Sequence, residues 1–256
     1  MMRPKQLAQP AIFLLGLLVL WELVAKLGSW PPYLFPDPIE VARSMWRMIA
    51  DGRLATAAVR SMARLMEGYL ISVAIGVPLG IFIARVSLIR ASLKPVVMGL
   101  QALPSICWLP LAILWFGLSD AAILFVVVMG SLLAIAIAAE DGVNSIQPQL
   151  LLVAGTLGIR GPRFYGGVLV PAALPGIVTG LKLGWSFAWR ALMAGELLFV
   201  SGGLGQLLTA GRELLDVAQV VAVMIAIIAI GTATDRFLFQ SIELRVRRRW
   251  GLLPAT

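Results

Sequence analysis

Histidine is absent from this chain and cysteine occurs once, at Cys107. The first absence removes the commonest metal ligand and the side chain most used as a general base near neutral pH. The second excludes an intramolecular disulfide and a cysteine-rich metal site. Charge is scarce as well: 13% of the residues are Asp, Glu, Lys or Arg, whereas 60% are apolar. That balance excludes an ordinary soluble domain, in which about a quarter of residues carry charge. The phosphate-cradling pattern Gly-x-x-x-x-Gly-Lys-Ser/Thr is missing. The glycine-rich stretch SGGLGQLL at 201–208 has neither the lysine nor the hydroxyl that pattern requires, and reads as an outer loop. With no reactive constellation, the chain is not expected to be an enzyme or to hold a metal or cofactor of its own.

What the sequence has in abundance is long apolar runs, at 11–27, 68–84, 96–118, 121–139, 172–200 and 217–239. Each approaches or exceeds the roughly 20 residues that carry a helix across a bilayer core of about 30 Å. The runs are continuous and do not alternate with period two, which excludes a β-barrel. The expected fold is therefore an all-α integral membrane protein, a six-helix transmembrane bundle. Charge placement orients it. Arg3, Lys5, Arg85, Arg90, Lys94, Arg160, Arg163, Arg236, Arg245, Arg247, Arg248 and Arg249 fall on one side. Arg43, Arg47, Arg53, Arg60, Arg64 and Arg212 fall on the other, diluted by Asp37, Glu40, Asp51, Glu67, Glu213 and Asp216. The positive-inside rule then puts both termini in the cytoplasm. The net charge of +8 reads as headgroup contact, above all by the run from Arg245 to Arg249, and not as a nucleic-acid surface. Arg3 and Lys5 resemble the front of a signal peptide, but Glu22 and Lys26 occupy the cleavage region, so the segment is expected to be retained.

Several local signals fix the organisation. Pro31, Pro32, Pro36 and Pro38 make an extended outer linker. Asp37-Pro38 opens an amphipathic helix with Ile39, Ala42 and Trp46 on one side, and a second helix begins near Leu54 and runs into the span at Gly68. Pro104 and Pro110 lie inside the third run and mark a kink or a bend that lines a pathway. Glu140-Asp141 marks the exit of the fourth span. Gln147 to Gly167 is a polar, glycine-rich interruption. A short amphipathic helix at 150–157 stops at Gly158, and Gly161-Pro162 permits a second start whose apolar face holds Phe164, Val168 and Leu169. Leu157 and Ile159 at such a tip are poor choices unless something covers them.

Lys182, Arg190 and Glu196 lie within the fifth run, where each ionisable group costs about 2.5–3.5 kcal/mol at mid-helix on insertion scales. Lys182, Trp185, Trp189 and Glu196 share a helical stripe, with Arg190 to one side. Two readings stay open. In one, Lys182 and Arg190 line an anion path gated by Trp185 and Trp189, with Glu196 and the Pro104 bend along it. In the other, Lys182 snorkels to the headgroups while Arg190 satisfies Glu196, the only deep carboxylate expected, or a carbonyl from another helix. Glu22 and Lys26 can pair at i,i+4. Cys107 reads as a small buried filler.

The segment LLVAGTLGIRGPRFYGGVLVPAALPGIVTGLKLG resembles the cytoplasmic loop of permease subunits of bacterial ATP-binding-cassette (ABC) importers. SMARLMEGYLISVAIGVPLGI, LPSICWLPLAILWFGLS and GELLFVSGGLGQLLTAGRELLD agree, and the likeness spans roughly 35–250. Within that family it is similar to the branch serving nitrate, sulfonates and taurine. The family's loop glutamate falls at Leu152, a departure that removes any ionic contact it would make. The resemblance implies a multi-pass permease in the bacterial inner membrane, importing a small anionic solute. It implies a coupling helix in the 150–170 loop, with Thr156, Leu157, Gly158, Ile159, Arg160, Gly161, Pro162 and Phe164 against a cytoplasmic ABC ATPase dimer. ATP and Mg2+ would be used there, not in this chain. Further implied partners are a second permease subunit, as a homodimer, and an extracytoplasmic solute-binding protein. The domains would be an N-terminal span and outer amphipathic helix (1–60), a core permease domain (61–245) and a cytoplasmic tail (246–256). The rival readings are a secondary transporter driven by an ion gradient, which would want deep carboxylates and inverted repeats, and a membrane anchor with no transport role.

Overall fold

Helices supply every regular element among the residues that the computed structural model describes, which are 4–28, 30–31, 34–198 and 201–250. The side chains of 4–11 and 247 fall outside that set, as do Arg3, most of the 246–256 tail and the end of the fifth apolar run at 199–200. In chain order the helices are α1 (Pro4–Leu27), α2 (Pro38–Ala50), α3 (Arg53–Arg85), α4 (Ser87–Gln101), α5 (Leu109–Phe116) and α6 (Asp120–Asn144). There follow α7 (Pro148–Thr156), α8 (Pro162–Phe164), α9 (Val170–Glu196), α10 (Leu204–Glu213), α11 (Val217–Thr234) and α12 (Gln240–Arg249). A 3-10 turn, Ser105–Trp108, leads into α5, and π-helical turns at Tyr165–Leu169 and Asp235–Phe239 interrupt the helices around them.

Among the described residues, four helical stretches are long and apolar enough to cross a membrane: Arg53–Arg85, Asp120–Asn144, Pro162–Glu196 and Val217–Val246. A fifth is available if Ser87–Gln101 and Ser105–Phe116 count as one span, but they meet at 99°. The run at 96–118, expected to kink or bend at its prolines, is broken at Pro104. Pro104 has no N–H to give the preceding turn and pushes Leu103 out of helical geometry, so the chain turns there; Pro110 sits harmlessly in the first turn of α5. A helix does cover 11–27, within α1. The helix expected to restart at Gly161-Pro162 runs on without a loop to Glu196, through a π turn at Tyr165–Leu169, with Pro171 in the first turn of α9. The stretch 201–208 is likewise no loop beyond Gly203, since α10 begins at Leu204.

The chain divides into two compact units. The first comprises 1–60 and 202–229. Its core is Val41, Met48, Ala218, Ala222 and Val223, with Trp21 and Leu207 packed on it. Asp37 caps α2 by accepting from the Glu40 N–H at 2.6 Å, and Pro38 occupies the first turn. The buried face of α2 is Val41, Ser44 and Met48, whereas the apolar side expected from spacing, Ile39, Ala42 and Trp46, is exposed. The helix thus has two apolar stripes, one packed on the protein and one left on its surface. Between α2 and α3 the Arg53 backbone N–H, then its guanidinium, hold the Asp51 carboxyl below the usual carboxylate range.

The second unit comprises 61–201 and 230–256. It is organised on α6 and α9, which approach closely through small residues. A Cβ added at Gly176 would lie 2.6 Å from the Gly142 Cα, so backbone meets backbone there. Close contact between small residues is what holds helices together where lipid removes the usual hydrophobic drive. Around this pair pack Leu65 and Tyr69 of α3, and Phe239 from the π turn that follows α11. Tyr69 donates to the Leu181 carbonyl at 2.8 Å, and its ring meets Trp185 and Phe239 edge-on. Trp250 donates from Nε1 to the Pro171 carbonyl at 3.0 Å, tying the far end of α12 to the start of α9.

Candidate functional site

Three groups of residues in the second unit carry the functional argument. The first is the turn between α7 and α8. α7 ends at Thr156, and Gly158 and Gly161 follow in the left-handed region, with φ of +67° and +60°. Only glycine takes that geometry without strain, and two such residues three apart make the chain reverse tightly. Ala154 is buried and Ile159 half-buried, which anchors the turn. Thr156, Leu157, Gly158, Arg160, Gly161 and Pro162 are exposed. Leu157 is 70% and Leu152 69% exposed, with Val153 beside them at 54%. The tip is therefore apolar and uncovered. Phe164 differs from its neighbours: it packs inward near Leu169 and Ile177, with the Arg85 guanidinium 5.3 Å above its ring.

The second group is the charge on α9, where the stripe expected from spacing comes apart. Lys182 faces two carboxylates, Asp235 at 3.5 Å and Glu243 at 3.7 Å. Trp185 is buried in the aromatic cluster, and Trp189 is half-buried against Gly231. Glu196 is fully buried. It accepts from the Ser61 hydroxyl at 2.8 and 2.7 Å and from Arg64 Nη1 at 3.1 Å. Arg64 also pairs with Asp120 at 2.9 Å and donates to the Ser201 carbonyl. Arg190 does not satisfy Glu196. Arg64 does, from within α3, the helix expected to begin near Leu54.

Arg190 is exposed, with Nε donating to the Ser186 carbonyl at 3.2 Å and the Phe187 ring 4.6 Å from its guanidinium carbon. No carboxylate pairs with it among the described residues. It lines a cavity of about 240 Å³ together with Gln101, Pro104, Ser105, Gly130 and Phe187. Pro104 and Arg190 thus come together, whereas Lys182, Trp185, Trp189 and Glu196 are not among its walls.

The third group was missed by sequence reasoning. Glu140 is 1% exposed and accepts from Lys94 Nζ at 2.8 Å and Asn144 Nδ2 at 3.3 Å, with Arg90 Nε at 3.8 Å. It is a second buried carboxylate, in the last turns of α6, which continues to Asn144. Cys107 is exposed, not buried. It lies in the 3-10 turn, none of whose residues is fully buried.

Apolar spans, buried charges paired between helices and, among the described residues, a cation that faces a cavity without a carboxylate mark a membrane-embedded protein. The chain belongs to the family of binding-protein-dependent transport system inner membrane components, which it matches over residues 76–248. It is 31% identical to a putative ABC transporter permease protein of Methanocaldococcus jannaschii, over 85% of this chain and 83% of that one. It is 30% identical to the taurine transport system permease protein of Escherichia coli, over 84% and 79%. Its fold matches the methionine ABC transporter MetNI in an inward-facing form, with a TM-score of 0.67 at 18% identity, covering 76% of this chain and 96% of the other. The chain is a permease subunit of an ABC importer, an inner-membrane transport component and not a catalytic enzyme.

Proposed function

We propose that this permease passes a small anionic solute, of the sulfonate, taurine or nitrate kind, and is driven by an ATPase that grips the 150–170 loop. The observation that carries the coupling is the α7–α8 turn, where Leu152, Val153 and Leu157 stand uncovered beside two left-handed glycines. An exposed apolar tip on a rigid turn is a docking feature. Leu152, standing where the family has a glutamate, makes this contact apolar instead of ionic. Thr156, Leu157, Gly158, Ile159, Arg160, Gly161 and Pro162 form the contact, and Phe164 anchors it from behind. ATP and Mg2+ act in the partner, a cytoplasmic ATPase dimer.

The path runs past Pro104 and Arg190, where a cation without a carboxylate favours anions. The taurine relative supports that solute class by its name, and the binding-protein-dependent family supports an extracytoplasmic solute-binding protein as partner. α1 and the broken pair α4–α5 complete six spans, with both termini and the α7–α8 turn in the cytoplasm. Residues 1–60, 61–245 and 246–256 act as N-terminal span with outer helix, core and tail. Two copies enclose the path, one subunit being too small to do so. The deciding experiment is copurification with the cognate ATPase: Leu157→Asp releases it and leaves the permease folded. Retention of the ATPase by that variant would sink the coupling reading.

A further inference from the structure

Arg190 is anomalous within its own helix. The other α9 cation, Lys182, has two carboxylates within 3.7 Å, but Arg190 has none among the described residues. An unpaired cation in a membrane segment is costly and belongs to a function or a partner. Its geometry says which end is free. Nε is engaged by Ser186 and the Phe187 ring holds one face, so the guanidinium presents its two terminal nitrogens. That fork matches two oxygens of one oxyanion.

The rest of the cavity suits the same guest. Gln101 ends α4 and Ser105 begins the 3-10 turn, so the break at Pro104 sets one amide and one hydroxyl on the wall facing Arg190. Neither side chain has a hydrogen-bond partner among the described residues, and no acidic side chain lines the space. Gly130 lets this wall close in. A Cβ there would come 2.8 Å from the Ala191 Cβ and 3.3 Å from the Ser105 Cβ. The volume, about 240 Å³, leaves room for the head of a small solute.

We propose that Arg190, Gln101 and Ser105 form a receptor for the oxyanion head of the solute in transit. This rests on the path reading above and deepens it by naming two specificity residues on the helix break. Sulfonate, carboxylate and phosphate heads share the required chemistry. Gln101 and Ser105 donate to oxygens that Arg190 does not reach, so a hydrated halide of equal charge binds less well.

The sole cysteine makes the test direct. Cys107→Ser gives a cysteine-free chain, and adding Ala102→Cys puts one thiol on the cavity wall. In membranes holding the permease with its ATPase, that thiol is treated with methanethiosulfonates bearing either a sulfonate or a trimethylammonium group. The ratio of the two rates is expected to fall roughly tenfold on Arg190→Gln and to persist in Arg190→Lys, which keeps the charge. Ethanesulfonate is expected to slow modification, and its half-protecting concentration to rise roughly tenfold in Gln101→Ala or Ser105→Ala, the effect of one hydrogen bond to a charged group. An unchanged ratio in Arg190→Gln, or absence of protection by ethanesulfonate, overturns the receptor. Protection that follows the anionic lipid content of the membrane instead of added sulfonate assigns the site to a headgroup and overturns it too. Uptake distinguishes the two readings. Loss of uptake in Arg190→Gln with an unchanged ratio sinks the receptor alone, whereas unchanged uptake sinks the path itself.

Discussion

Arg64 and Glu196 show how much one residue can hold. Glu196 has no solvent contact and Arg64 little, with 12% of its side chain exposed. Removing one partner of a buried pair strands the other, which costs about 3–5 kcal/mol. Arg64→Leu is therefore expected to lower the melting temperature of the purified protein far more than Asp120→Asn, whose side chain is 65% exposed. Equal effects of the two would show that Glu196 does not depend on Arg64. Sequence reading found Glu196 and the cost of burying it but not its partner, because 132 residues separate the two. The helix that carries Arg64 was legible from its start near Leu54, but the carboxylate it serves was not. The partners of Glu140, Lys94 and Arg90, were hidden in the same way, since they lie on a different helix.

At the scale of elements, local chemistry was legible and tertiary geometry was not. Gly158 as a stop and Gly161-Pro162 as a restart follow from backbone freedom alone, and the left-handed angles at both glycines bear this out. Gly158→Val requires a β-branched residue at positive φ, at a cost above the roughly 1–2 kcal/mol of an ordinary side chain there. The expected outcome is at least tenfold weaker ATPase copurification with a normal elution profile for the permease; full retention would mean that the turn is not what the ATPase reads. The helix break at Pro104 was visible as a proline, but its 99° angle depends on what packs around it. The small-residue seam between α6 and α9 was not visible either, because a glycine's neighbour cannot be read from one chain. Gly176→Ala meets backbone at Gly142 with no flexible side chain to yield. It is expected to lower thermal stability where Gly155→Ala, with open space around it, does not; equal melting temperatures would show that the helices simply part.

For the whole molecule the decisive prediction is topological. With α7–α8 on the cytoplasmic side, a cysteine at Arg160 in the cysteine-free background reacts with an impermeant thiol reagent only in inside-out vesicles. Reaction in intact cells would reverse the orientation and remove the ATPase from the account. Orientation rests on arginine and lysine counts, so the sequence could speak to it. The span count could not be read as well, because apolar length does not show whether a run is straight or folded back.

From Pro162 to Glu196 the chain is one helical stretch of 35 residues, with a π turn near its beginning. At about 1.5 Å per residue such a rod is roughly 50 Å long, and it starts at the turn and ends in the Arg64 clasp. On the coupling reading proposed above, the handle that an ATPase would grip and the lock at the far end belong to one continuous helical stretch, so a push on the turn has a direct route to the clasp.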